Sequence, residues 1–330
     1  MKIAVDAFGG DYAPEPIVEG ALQAANMYKI SLILTGDEIR LRSLVGDKPG
    51  STYIEIVNAS EQIQMNEHPV EAVRTKKDSS LMVAARLVRE KRAVGMVSAG
   101  NTGAVMAASL LGIGRIKGIE RPAITSLMPT LKGVCLILDV GANVDCRPNQ
   151  LVQFAQMGSI YAQKVLGRSH PRIGLLSIGE EPSKGNEVTI KVHESLRQSK
   201  LNFVGNVEGR DISKGEVDVI VCDGFVGNIV LKFAEGLGSA IFSMLKDEFT
   251  RSIPSKLAAA VLKPGLKRIK QKTDYTEYGG APLLGINGIS IIAHGRSNAK
   301  AIRNAIRVAK EAADSGVIES IAQIMAGDNY

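Results

Sequence analysis

Tryptophan is absent from this 330-residue chain, and aromatic residues make up only 4% of it. Its core therefore has to be built from Leu, Ile, Val and Ala, and a 45% share of hydrophobic residues makes that feasible. The lack of rings, with no recognisable nucleic-acid module, argues against a nucleic-acid partner. Cysteine is scarce too. Cys135, Cys146 and Cys222 are an odd number without a C-x-x-C pair, which argues against a disulfide framework and for a reducing, cytoplasmic setting. No H-E-x-x-H or paired C-x-x-C occurs, so no metal site is expected. Residues 1–6 lack the long apolar run of a secretory signal, and no run of about 18 apolar residues predicts a membrane span. Nucleotide motifs are missing as well. There is no G-x-x-x-x-G-K-[ST], and Gly112-Ile113-Gly114-Arg115 follows a helical pattern and has Lys117 where G-x-G-x-x-G needs glycine.

What the chain has in quantity is glycine, 34 residues, and positive charge, 40 Lys and Arg against 34 Asp and Glu. A net charge of +6 favours anionic partners: phosphate, anionic lipid or an acidic protein. Short apolar runs alternate with helical patterns. Strands are predicted at residues 2–6, 31–35, 53–57, 94–99, 124–128, 134–140, 173–178, 217–223 and 289–293. Helices are predicted at 15–28, 79–89, from 102, 151–165, 226–249 and 297–314. This alternation predicts a three-layer α/β/α fold with a mostly parallel sheet. Residues 1–330 form one α/β unit in this reading, with interleaved lobes and no linker.

Polar and glycine-rich clusters follow the strands: Asp6–Asp11 with Gly9 and Gly10, Ser98–Ala104, Asp139–Asn143, Gly179–Glu187, and Asp223–Asn228 with Lys232 one turn on. In a parallel sheet all five meet at one edge, where such folds bind ligands. Ser98, Asn101, Thr102 and Gly103 make a phosphate cradle in which small residues and a helix start offer backbone N–H groups, although an ordinary helix cap would read the same. Lys184 reads equally as a phosphate or oxyanion ligand and as a solvated loop lysine. His294 ends a strand and reads as a proton donor to a leaving group or as a structural cap. Cys222 sits in a buried strand pattern and reads as a small hydrophobe.

Residues 251–272 interleave Lys and Arg, including Lys263 and Lys267, with Leu257, Val261 and Leu262, and contain no acidic residue. Pro264-Gly265 is expected to break this pattern. Such a segment suits an anionic lipid surface, an acidic protein or a dimer interface.

The motifs Val5–Asp11, Arg74–Ser80, Ser98–Ala104, Asp139–Asn143, Gly179–Glu187, Asp223–Asn228 and Tyr278–Gly285, in this order and spacing, resemble the PlsX family of acyl-carrier-protein:phosphate acyltransferases from end to end. Phe8 stands where the family more often has Met. The resemblance implies a fold similar to isocitrate and isopropylmalate dehydrogenases and to phosphotransacetylases, usually as a homodimer. It implies transfer of a long-chain acyl group from acyl carrier protein to inorganic phosphate in phospholipid synthesis, without cofactor or metal. It further implies that a membrane glycerol-3-phosphate acyltransferase takes the product, and that the enzyme itself is cytosolic with peripheral contact to the membrane. In residue terms, Lys184, Asn228 and His294 become catalytic candidates. Asp6, Gly9, Gly10, Ser98, Asn101, Thr102, Gly103, Asp139, Asn143, Asp223 and Lys232 line the phosphate or substrate site. Arg74, Lys76 and Lys77 are expected to meet the carrier, and Leu257, Val261, Leu262, Lys263 and Lys267 to touch the membrane. The alternatives are an acyl-coenzyme A enzyme of phosphotransacetylase type, a decarboxylating dehydrogenase using NAD, and a non-catalytic carrier scaffold.

Overall fold

The computed structural model describes residues 1–273 and 279–327; Tyr278 and the side chains of residues 270–273 lie outside the described residues. Eleven strands form one sheet: β1 (Lys2–Asp6), β2 (Ser31–Gly36), β3 (Ile54–Asn58), β4 (Gly95–Ser98), β5 (Ala123–Thr130), β6 (Gly133–Leu138), β7 (Ile173–Leu176), β8 (Phe203–Val207), β9 (Val219–Val221), β10 (Ala281–Leu284) and β11 (Ile289–Ile292). Their order is β3-β2-β1-β4-β11-β10-β5-β6-β9-β7-β8. The helices are α1 (Glu15–Tyr28), α2 (Glu38–Val45), α3 (Pro69–Thr75), α4 (Ser80–Arg89), α5 (Thr102–Ala108), α6 (Pro148–Lys164), α7 (Glu187–Gln198), α8 (Gly224–Thr250), α9 (Ile253–Thr273), α10 (Ala299–Asp314) and α11 (Val317–Met325).

Strands with every residue buried, such as Gly95–Ser98 and Ile289–Ile292, need cover on both faces, and helices supply it. Alternation along β1 sends Ile3 and Val5 into one core with α1, α6 and α10, and Ala4 into a second core with α4 and α5. The expected three-layer α/β/α architecture is therefore present. Helix starts follow local chemistry: Asp37, Ser79, Asn186 and Asn298 each accept a backbone N–H of the first turn.

The sheet is mostly parallel, as expected, but two finer expectations, that the polar clusters share one edge and that Pro264-Gly265 breaks the helix, fail. The sheet reverses direction: β10 runs antiparallel to both β11 and β5, and β5 runs antiparallel to β6, while the other seven pairings are parallel. Three reversals are an odd number, so β6, β9, β7 and β8 point opposite to β1, β4 and β11. The five polar clusters are thus split between opposite edges of the sheet and do not meet at one. Second, Pro264 lies inside a continuous α9. The proline removes one hydrogen bond to the carbonyl of Ala260, which is exposed, so water replaces what the ring takes away.

α8 and α9 pack on each other and are mostly exposed. Along α8, Phe225, Ile229, Phe233, Leu237 and Ile241 recur every four residues and are all more than 45% exposed. This helix is long and apolar enough, by length and composition, to cross a bilayer, although no unbroken apolar run of about 18 residues marks it in the sequence. On α9, Leu257 and Val261 are 67% and 80% exposed.

Candidate functional site

The first edge collects the ends of the adjacent strands β1, β4 and β11. Asp6 is turned inward and only 2% exposed. Its Oδ2 accepts the Ser98 hydroxyl at 2.7 Å, and Ser98 Oγ in turn accepts the Gly100 N–H at 3.0 Å. Burial pushes the Asp6 carboxyl up, while the Ser80 and Ser98 hydroxyls and the Phe8 and Gly9 N–H groups pull it back. A Cβ on Gly9 would stand 2.3 Å from Asp6 Oδ2 and 2.8 Å from Ser98 Oγ, so only glycine lets the two loops close over this carboxyl. Gly10 packs against the carbonyl of Gly295, which accepts the Asp11 N–H at 2.8 Å. Asp6 and Ser98 therefore tie loops together from below, and do not present themselves to a phosphate.

Asn101 is committed as well. Its Oδ1 caps Ala104 at 3.1 Å and its Nδ2 donates to the Met65 carbonyl at 2.7 Å, which is the ordinary cap of the sequence reading. Thr102 is exposed beside the half-buried Gly103, and their N–H groups open α5 without intrahelical partners. His294 is exposed, and its Nδ1 accepts the Arg296 N–H at 3.2 Å, which places the proton of the neutral ring on Nε2.

The second edge collects the ends of β6, β9 and β7. Asp139 is fully buried and accepts five hydrogen bonds. Oδ1 takes the N–H groups of Ile124, Gly141 and Ala142 at 3.0–3.2 Å; Oδ2 takes the N–H and the side-chain amide of Asn143 at 2.7 and 2.8 Å. Burial pushes this carboxyl up, and those donors oppose the push. Asn143 also donates to the Pro122 carbonyl at 2.8 Å, and its own carbonyl accepts the Gly224 N–H at 2.7 Å. A Cβ on Gly227 would lie 1.9 Å from the Asp139 carbonyl, so glycine lets the first turn of α8 sit directly on this loop. Asp223 caps α8 through Val226 at 2.8 Å. Asp139, Asn143 and Asp223 are scaffold.

Two functional groups at this edge are uncommitted. Lys184 is exposed and makes no ion pair among the described residues; Asn228 is exposed, lies against Gly141 and has no side-chain hydrogen bond among them. They follow β7 and β9, which are hydrogen-bonded neighbours about 4.8 Å apart, Lys184 on the loop before α7 and Asn228 in the second turn of α8. Lys232, by contrast, is paired with Glu235 at 2.9 Å. Arg210, which sequence reasoning passed over, stands beyond β8 at the same edge, 3.1 Å from Glu208 and 3.9 Å from Glu180.

The two edges are far apart. From β4 to β6, and from β11 to β9, four strand spacings intervene, about 19 Å along the sheet. Of the basic trio, Lys76 is tied to Glu67 at 2.7 Å and to the Gln62 carbonyl at 2.9 Å, Lys77 turns back to the Val73 carbonyl, and Arg74 is exposed without a side-chain partner among the described residues. Burial pushes the Cys135 and Cys146 thiols up to about 12 and raises that of Cys222, so none is a thiolate near neutral pH. Among the described residues, no three His, Cys, Asp or Glu side chains gather as a metal site would require.

Comparison with known proteins fixes the class. The phosphotransacetylase of Streptococcus pyogenes matches with a TM-score of 0.64 at 20% identity, over 96% of this chain and 94% of that one. The EutD phosphotransacetylase of Staphylococcus aureus matches with 0.62 at 17%, over 94% of each. These likenesses show a shared fold, the mixed α/β fold of phosphotransacylases. A family model described as fatty acid synthesis protein matches residues 1–320. The phosphate acyltransferase of Pelotomaculum thermopropionicum is 55% identical over 321 residues, covering 97% of this chain and 94% of the relative. That of Desulfitobacterium hafniense is 56% identical over 322 residues, covering 97% and 96%. The chain belongs to this fatty acid synthesis family, the PlsX family, and is a phosphate acyltransferase.

Proposed function

We propose that the acyl donor is a long-chain acyl carrier protein and that the acyl phosphate product feeds phospholipid synthesis. The observation that carries the chemistry is that the exposed Lys184, on the loop after β7, and the exposed Asn228, in α8 just after the neighbouring β9, have no side-chain partner among the described residues. Phosphate near neutral pH is already an anionic nucleophile, so no serine or cysteine nucleophile is needed, which agrees with three unionised thiols. A phosphate oxygen attacks the thioester carbonyl carbon, a tetrahedral oxyanion forms, and the C–S bond breaks to release the carrier thiolate. Lys184 neutralises charge on the phosphate or the oxyanion, and Asn228 donates a hydrogen bond to it. The positive chain and the exposed Arg74 suit an acidic carrier.

The test measures free carrier thiol released from long-chain acyl carrier protein, with and without inorganic phosphate, and traps the acyl phosphate with hydroxylamine. Phosphate-dependent release is the expected result. Release only from acyl-coenzyme A would assign the smaller donor, and carrier binding without turnover would leave a scaffold.

We propose further that a second copy covers the apolar stripe of α8, and that α9 touches anionic membrane through Leu257, Val261 and Leu262 with Lys263 and Lys267 at the headgroups. Phe233→Glu should shift the protein towards monomer in sedimentation velocity. Changing Leu257 and Val261 together to Glu should abolish flotation with anionic liposomes while activity in solution persists. Unchanged flotation rejects the membrane reading.

A further inference from the structure

We infer that His193 and Asn206 are positioning residues that aim Lys184, an assignment that rests on the role proposed for Lys184 above. Both are buried, 7% and 6% exposed, and neither belongs to a motif that the sequence singled out. They sit where α7 packs on β8, among apolar side chains. Two hydrophobic residues would seal that contact without the cost of burying polar groups.

Their hydrogen bonds lead in one direction. Asn206 Nδ2 donates to the Glu181 carbonyl at 2.8 Å, and the same oxygen accepts the backbone N–H of Lys184 at 3.0 Å. One acceptor therefore holds both the Asn206 amide and the turn that carries Lys184. The far side of that turn is held by Ser177, whose hydroxyl donates to the Lys184 carbonyl at 3.0 Å and whose N–H donates to the Val207 carbonyl at 2.9 Å. With its amide spent on Glu181, Asn206 presents Oδ1 to His193 Nδ1 at 3.0 Å. An amide oxygen only accepts, so His193 carries its proton on Nδ1. The ring is fixed edge-on against Phe203, with centroids 5.2 Å apart at 75°. The imidazole locks the amide orientation of Asn206, the amide locks the 181–184 turn, and the turn aims the lysine.

A pair of substitutions separates this role from plain packing. Asn at position 193 puts its amide nitrogen where Nδ1 stands, but leaves a void. Gln fills the space better and puts its nitrogen where Nε2 stands, so the donor is lost. If His193 matters only for packing, His193→Asn is the worse variant in every assay. If it aims Lys184, His193→Gln loses about tenfold in kcat at saturating donor, the scale on which small misplacement acts, while His193→Asn stays within about threefold of wild type despite a lower Tm. His193→Asn no better than His193→Gln in kcat overturns the inference. Asn206→Ala should lower kcat to a similar extent, but only when Lys184 is present. In a Lys184→Ala background it should cost nothing more, and an undiminished further loss there also overturns the inference. Full activity of Lys184→Ala alone would instead remove the role of Lys184 on which the inference stands, so the two failures are distinct. Should Asn206→Ala fail to fold, the two His193 variants still decide.

Discussion

Lys184→Ala should lower phosphate-dependent turnover by about 10²- to 10³-fold, the usual loss when a charge-stabilising donor is removed from an acyl-transfer centre. The side chain is exposed and makes no ion pair among the described residues, so the substitution should leave stability within about 0.5 kcal/mol of wild type. A large kinetic loss with an unchanged unfolding midpoint separates a chemical role from a structural one. Lys184→Arg keeps the charge but replaces a compact ammonium with a planar fork, and should recover only part of the activity. The competing location for the phosphate is the first edge, where Thr102 and Gly103 open α5. Thr102→Pro removes the Thr102 N–H at the first helical position, where proline is tolerated, so it should spare the fold. Turnover lost in Thr102→Pro but intact in Lys184→Ala would move the reaction centre to that edge and bring His294 back into reach.

The sequence reading placed nine of the eleven strands, including the buried runs Ile173–Leu176 and Ile289–Ile292, because short β-branched stretches between glycine-rich turns have few other uses. The mostly parallel sheet was legible, but its three antiparallel pairings were missed although short connections require two of them. Only two residues separate Thr130 from Gly133, far fewer than a parallel crossover requires, so β5 and β6 had to form a hairpin. The four residues between Leu284 and Ile289 set the same limit for β10 and β11. A reversed half-sheet follows from those short connections, and with it the separation of two polar clusters that composition alone would merge. Site residues were harder to sort. Asn101, Asn143 and Asp223 are the residue types that hold loops and helix caps as well as ligands, and only coordinates show that their hydrogen bonds are already used. Lys76 looked available until Glu67 was found beside it. His193 and Asn206 were invisible because their meaning lies in one shared carbonyl 25 residues from Asn206.

Asp139→Ala should be the most destabilising single substitution at the second edge, by about 3–5 kcal/mol in urea unfolding. Alanine strands four backbone N–H groups and the Asn143 amide in a site that water does not reach freely. Asp139→Asn gives the finer test. With its oxygen facing Ile124, Gly141 and Ala142, Asn keeps three of the five bonds but turns an NH2 towards the N–H and side-chain amide of Asn143. Two donors then face a donor, so the loss should fall between wild type and alanine, at roughly half the full effect. The Asn143 carbonyl holds the Gly224 N–H, and the Asp139 carbonyl supports Gly227, so a disturbed loop shifts the first turn of α8 and Asn228 with it. Asp139→Asn should therefore lose activity at temperatures where it remains folded, whereas Asp218→Asn should not. Asp218 holds Arg172 with bonds of 3.0–3.3 Å at the other end of β9, away from Asn228. Equal stability of Asp139→Ala and wild type would mean that the carboxylate does not hold the loop. A folded, fully active Asp139→Asn would mean that the loop does not position Asn228.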